Sequence, residues 1–269
     1  MTASGYQSAA QYSPHVEFFA TVAPCLRKSQ CVLKSPPGTV VGVNKRLVLW
    51  DIDQTLIDLR GAGREWYAQV LPQVTGVAFT GMPPLFGHTE LAITSQVLTL
   101  HGIEPDDETV RKMWAALVTA AEQAVPTMTT RGIALPGAAA ALSALAETTV
   151  QTLVTGNLRE VSWHKLAAFG LHEHLDFEIG GYGSLSAHRP DLVAHAVSLA
   201  GNRHSPFAAD AVVVIGDTPH DIDAALAHGA LAIGVTTGRY DESALRDAGA
   251  HVILPDLSDT QAVLGAVLA

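Results

Sequence analysis

Several things are scarce in this chain, and each scarcity closes off a class of function. Cysteine is nearly absent: Cys25 and Cys31 are the two in 269 residues. Two thiols near one end, with no histidine or further cysteine beside them, make neither a disulfide framework nor a metal site. Charge is low at 16%, and bases are the minority, with 16 Lys and Arg against 26 Asp and Glu for a net charge of -10. A nucleic-acid backbone needs a basic surface, so no nucleic-acid partner is expected. A small phosphorylated molecule, recognised locally, stays admissible. No apolar run approaches the ~20 residues a membrane span needs, and the first residues lack the basic-then-apolar pattern of a secretory signal. No membrane association is expected, and the cytoplasm is the expected compartment. What remains is 48% hydrophobic, long enough for one large domain or two smaller ones with a sizeable core.

Residues 1–44 carry Ser, Gln, Pro and Gly with little periodicity and read as a tail or loosely packed extension. A short docked helix over Val16 to Val22 is the alternative. From Leu47 to Trp50 an apolar run reads as a buried strand. Gly61 to Val125 then carries no strand signal but shows helical patterns around Arg64–Leu71, Glu90–Leu100 and Glu108–Ala124, divided by Pro72, Pro83-Pro84 and Pro105. This reads as an all-helical insertion. From about Ala134 strands and helices alternate. Strands are expected at Val150–Val154, Phe177–Ile179, Ala211–Ile215, Leu231–Val235 and His251–Leu254. Helices are expected at Pro136–Ala146, Leu158–Phe169, Pro190–Ala200, Ile222–His228, Glu242–Ala248 and Ser258–Leu268. Apolar strands interleaved with helices predict an α/β fold: a doubly wound, Rossmann-like parallel sheet, here with a helical insertion.

In open α/β sheets the ligand crevice lies at the carboxyl ends of the strands. Four such places carry polar residues. The first strand runs into Asp51-Ile52-Asp53-Gln54-Thr55-Leu56, where strand alternation points both carboxylates the same way. Two adjacent carboxylates repel unless a cation, a shared proton or a substrate relieves them. The second is Thr155-Gly156-Asn157, the third His188-Arg189-Pro190 at a helix start, and the fourth Gly216-Asp217-Thr218-Pro219-His220-Asp221. Any one alone reads equally well as a turn or helix cap. Together, in this order along one sheet edge, they point to metal-assisted chemistry.

In these segments the chain resembles the haloacid dehalogenase-like (HAD) hydrolases, particularly the phosphoglycolate phosphatase-like branch with a helical, C1-type cap. Asp51 to Leu56 resembles the family's first motif, Thr155 its second, Arg189 the basic residue of its third and Gly216 to Asp221 its fourth. The resemblance implies an N-terminal extension over 1–44, a Rossmann-like catalytic core over 45–59 and 133–269, and a helical cap over 60–132. It further implies a Mg²⁺-dependent phosphatase acting on a small phosphorylated metabolite, phosphoglycolate-like or a sugar phosphate, as a monomer or homodimer. By the same resemblance Asp51 is the nucleophile and Asp53 the acid and base. Asp51, Asp53 (through its backbone carbonyl) and Asp217 would hold the metal, and Thr155, Gly156 and Arg189 the phosphate. Thr55, Asp221 and Asn157 would support them, Thr55 as a turn-stabilising hydroxyl and Asp221 either beside the metal or as a helix cap.

The chain departs from the family pattern twice, with Gln54 for the usual Gly and Arg189 for the usual Lys. Arginine keeps the charge and can fork onto a phosphate, but it does not trade protons. An acid two residues after the nucleophile suits a phosphatase, which must protonate an alkoxide, better than a dehalogenase. In the insertion, His88 and Thr89 within Phe86-Gly87-His88-Thr89-Glu90, and Arg60 and Arg64 near its start, are candidate substrate contacts. A phosphomutase of the same family and a non-catalytic binding protein on the same fold are the competing readings.

Overall fold

Alternation along the first strand sets the architecture. In the computed structural model, which describes residues 45–83 and 86–269, strand β1 (Arg46–Trp50) turns Leu47 and Leu49 into one apolar cluster and Val48 and Trp50 into another. A strand buried on both faces needs helices on both. It lies within a six-stranded parallel sheet of order β5-β4-β1-β6-β7-β8, formed with β4 (Thr149–Thr155), β5 (Gly181–Tyr182), β6 (Val212–Gly216), β7 (Leu231–Val235) and β8 (Val252–Leu254). Helices α6 (Arg189–Arg203), α7 (Pro219–Leu226) and α8 (Glu242–Asp247) bury Leu192, Val193, Ile222 and Leu245 against the Leu47 face. Helices α4 (Ala138–Leu145), α5 (Arg159–Ala168) and α9 (Thr260–Leu268) bury Leu142, Leu166 and Val263 on the Trp50 face. Each fully buried aliphatic side chain stabilises this sandwich by about 1.5–3 kcal/mol. The doubly wound α/β fold expected from the sequence is present. The expected extension over 1–44, with both cysteines, lies outside the described residues.

Between β1 and the rest of the sheet the chain leaves through β2 (Ile57–Asp58) and returns through β3 (Ile133–Ala134), an antiparallel pair. Among the described residues three helices lie between: α1 (Ala62–Thr75), α2 (Glu90–Leu100) and α3 (Asp107–Arg131). Asp106 caps α3, accepting from the backbone of Glu108 and Thr109, and acidic residues fill the first turn. Contrary to expectation, Pro72 does not end α1, which runs on to Thr75, and α3 runs past its expected end at Ala124 through Pro126, with Met128 beyond it buried. The helix then packs on α1 and on α5 of the sheet layer.

A second correction concerns Phe177–Ile179, expected as a strand. Those residues form turns, and the edge strand comes later, at Gly181–Tyr182. Space decides this: a Cβ at Gly181 would lie 2.1 Å from the carbonyl oxygen of Leu192, so only glycine lets this segment slide between β4 and α6.

Candidate active site

The strand order reverses at β1, with β4 on one side and β6 on the other, which is where a doubly wound sheet opens a crevice. Register then brings the polar residues together. Trp50 lies level with Leu153 and Ile215, and the Asp51 backbone N donates to Ile215 O at 2.9 Å. Asp51 is thereby fixed beside Asp217, two residues past Ile215. Carboxylate oxygens of Asp51, Asp217 and Asp221 lie within 4.8 Å of one another, and all three residues are buried.

Asp221 does two jobs. Its Oδ2 accepts from the Thr218 backbone N at 3.0 Å and the Thr218 hydroxyl at 2.7 Å, closing a capping box on α7, while its Oδ1 accepts from Arg189. Arg189 Nη2 also donates to Asp51 Oδ1 at 2.7 Å, and Nη1 to the Gly87 carbonyl at 3.0 Å. Through Nη2 Arg189 bridges Asp51 and Asp221, while its buried Nε has no hydrogen-bond partner among the described residues. Burial works against its charge, but Asp221 and Asp51 outweigh that and hold the guanidinium more firmly protonated than usual.

Three carboxylates against one guanidinium leave excess negative charge in a buried place. Desolvation, with Asp221 nearby, pushes the Asp51 carboxyl up from 3.8 to about 7, Arg189 notwithstanding. Desolvation and Asp51 push Asp217 up to about 9. Such a cluster is held apart from its ordinary ionisation by the lack of positive charge. The donors are all oxygen, which suits a hard divalent cation. By charge and donor type, the residues fit one.

After β1 the backbone turns sharply. Gln54 adopts a left-handed conformation with φ 65, and its N donates to Ile57 O at 2.7 Å. A left-handed φ explains why glycine is usual there, and the chain carries Gln54 at a modest cost in strain. The turn is held by these backbone bonds and by the Thr237 hydroxyl on the Gln54 carbonyl. Thr55 does not brace it as expected: its hydroxyl is buried and takes no partner among the described residues.

Asp53 is separate from the buried cluster, its side chain 45% exposed. Lys165 reaches it from α5, Nζ lying 2.6 Å from Oδ2 and 2.8 Å from Oδ1. Sequence reasoning missed this lysine. Asn157, at the end of β4, donates from Nδ2 to Asp53 Oδ2 at 2.8 Å and to Thr155 Oγ1 at 2.9 Å. The Thr155 hydroxyl is thus an acceptor in these bonds and keeps its own proton to give.

The segment before α2 docks on the same edge. A Cβ at Gly156 would sit 2.1 Å from the His88 carbonyl oxygen, so glycine admits the close approach. The Glu90 N then donates to Gly156 O at 2.8 Å and the Leu91 N to Gly183 O at 2.9 Å. His88 meets His220 edge to face at 5.1 Å, and burial together with His220 and Arg189 lowers its proton affinity. Thr89, expected as a substrate contact, is buried and serves as the N-cap of α2, accepting from the Ala92 N. Arg60 is exposed in a left-handed turn, its backbone N on Asp58. Arg64 lies 5.7 Å over the Phe79 ring. Among the described residues no hydrogen bond or ion pair joins Arg60 or Arg64 to Asp51, Asp53, Asp217 or Asp221, whereas the His88 ring packs on His220 of the fourth segment.

The family described as haloacid dehalogenase-like hydrolase matches residues 48–226. No curated protein matches the chain. Similar solved structures include a hydrolase from Pseudomonas syringae, 22% identical, covering 83% of this chain and 99% of its own with a TM-score of 0.60. A predicted phosphoglycolate phosphatase from Haemophilus somnus is 15% identical, over 82% and 98% of the two chains, with a TM-score of 0.57. A candidate beta-phosphoglucomutase from Bacteroides vulgatus is 17% identical, over 84% and 90%, with a TM-score of 0.56.

Proposed function

We propose that this chain, which belongs to the haloacid dehalogenase-like hydrolases, hydrolyses a small phosphomonoester with the help of Mg²⁺ through a phosphoryl group carried on Asp51. The observation that supports this most is the buried trio Asp51, Asp217 and Asp221 with its excess negative charge, beside the half-exposed Asp53. Residues 60–132 would form a cap over a core of 45–59 and 133–269.

Asp51 would attack phosphorus in line with the departing ester oxygen, and Asp53 would give that oxygen a proton as its bond to phosphorus breaks. Asp53 would then take a proton from the water whose oxygen displaces Asp51 from phosphorus. The Thr155 hydroxyl and the backbone at Gly156 would donate to the phosphoryl oxygens, and Arg189 would balance Asp51 and Asp221. Asp51, Asp217 and the Asp53 carbonyl would hold Mg²⁺, which, when bound, supplies the positive charge that lets a phosphate dianion approach an aspartate. His88 would meet the substrate beyond its phosphate.

The test is phosphate release from a panel of alkyl, sugar and carboxylic-acid phosphates, with Mg²⁺ and with a chelator. Release that depends on Mg²⁺ is expected for at least one ester. Transfer of the phosphoryl group between substrate hydroxyls with little free phosphate would point to a mutase instead. Absence of both would leave a binding protein.

A further inference from the structure

Lys165 plays no part in the chemistry above, yet it is the one buried lysine among the described residues. It sits on the inner face of α5 in line with Ser162 and Leu166, its ammonium 5.7 Å from the Trp66 ring. Its three donors are all used: two on Asp53, and the third on Asn157 Oδ1 at 2.7 Å. Asn157 closes the triangle through Nδ2 on Asp53 Oδ2.

Each carboxylate oxygen accepts at about two positions. Oδ2 of Asp53 receives both Lys165 and Asn157 and is filled; Oδ1 receives Lys165 alone and keeps one position open. We infer that Lys165 and Asn157 are positioning residues that lock the Asp53 carboxyl group so that Oδ1 alone exchanges the proton with the leaving group and with water. The inference rests on the reading of Asp53 as acid and base. In the first half-reaction the Oδ1–H bond breaks and the proton goes to the ester oxygen as it leaves phosphorus. In the second, a water O–H bond breaks and its proton returns to Oδ1 while the water oxygen bonds to phosphorus and the Asp51 oxygen departs. No oxidation change occurs. A carboxyl group free to rotate would present either oxygen at varied angles, and misplacement of about 1 Å costs on the order of 100-fold in rate.

Leaving-group dependence tests this, because only a poor leaving group needs the proton. The quantity to read is kcat/KM, which reports the steps up to leaving-group release. Lys165→Met is expected to lower it by about 100-fold on an alkyl phosphate and by less than about threefold on para-nitrophenyl phosphate, whose phenolate departs unprotonated. Asp53→Asn should show the same contrast more strongly, and Asn157→Ser the same contrast more weakly. The half-exposed Asp53 is not stranded by loss of its partner, so Lys165→Met should fold. If it does not, Asn157→Ser must carry the contrast, and its absence there overturns the inference. Equal losses on both esters in Lys165→Met, with Asp53→Asn still discriminating, also overturn it. Equal losses in Asp53→Asn would remove the acid assignment and the inference with it. Failure of the wild type to cleave either ester would refute the hydrolase reading itself.

Discussion

Asp51→Asn is expected to lower phosphate release by about a thousandfold or more at saturating Mg²⁺, with the protein still folded. The amide is nearly the shape of the carboxylate but has no charge with which to attack phosphorus. The fold should tolerate the change. Asp51 is a buried carboxyl group beside Asp217 and Asp221, with Arg189 donating to it. Burial is the main cause that raises both Asp51 and Asp217, and the amide removes the burial cost of ionising Asp51 together with its repulsion of Asp217. The variant should therefore melt no lower than wild type when no divalent cation is present. Phosphate release assayed beside a melting curve checks both halves. A variant as active as wild type would mean that Asp51 is not the nucleophile.

The second large effect concerns pH and metal. In the folded state Asp51 is raised from 3.8 to about 7 and Asp217 from 3.8 to about 9. Between the ordinary value and each raised one, the folded protein holds a proton that the unfolded chain has already lost. Stability then falls as pH rises, from about pH 4 through pH 7 for Asp51 and on to about pH 9 for Asp217. Without divalent cations, the melting temperature at the top of this range should lie about 5 °C or more below its value near pH 5. Magnesium binds the ionised carboxylates, so it should narrow that gap, stabilising more at high pH than at low. Asp217→Asn should lose most of the magnesium effect. A magnesium shift independent of pH, or one that survives in Asp217→Asn, would mean that the cation binds elsewhere.

How much was legible in the sequence depended on how local each cause is. Helix α2 begins at Glu90 and ends at Leu100, and β7 runs from Leu231 to Val235, as their residues predict, because periodicity and caps are written within the segment. The aspartates at the strand ends were legible for the same reason: a strand that stops at Trp50 leaves Asp51 and Asp53 at the edge of the sheet. The misses have distant causes. Tyr182 and Gly181 take the edge-strand place from Phe177–Ile179 because α6 lies so close to the chain there. Helix α3 outlasts its expected end at Ala124, with Met128 beyond it buried. Thr89 is the exception, a local cap standing directly before the first residue of α2. Lys165 had one faint signal, a lysine four residues after Val161 and three after Ser162 on the stripe that faces inward. Its partner Asp53 is 112 residues away, and no local pattern could supply it.

Whether Asp51 carries the phosphoryl group can be read directly in the Asp53→Asn variant. This variant can still be phosphorylated by an ester with a good leaving group, but it lacks the base that activates water. Mixed with para-nitrophenyl phosphate and Mg²⁺, quenched in acid and digested, it should yield the peptide containing Asp51 with the added mass of one phosphoryl group. Release of para-nitrophenol with that peptide unmodified, or with the phosphoryl group on another residue, would rule out Asp51 as the carrier.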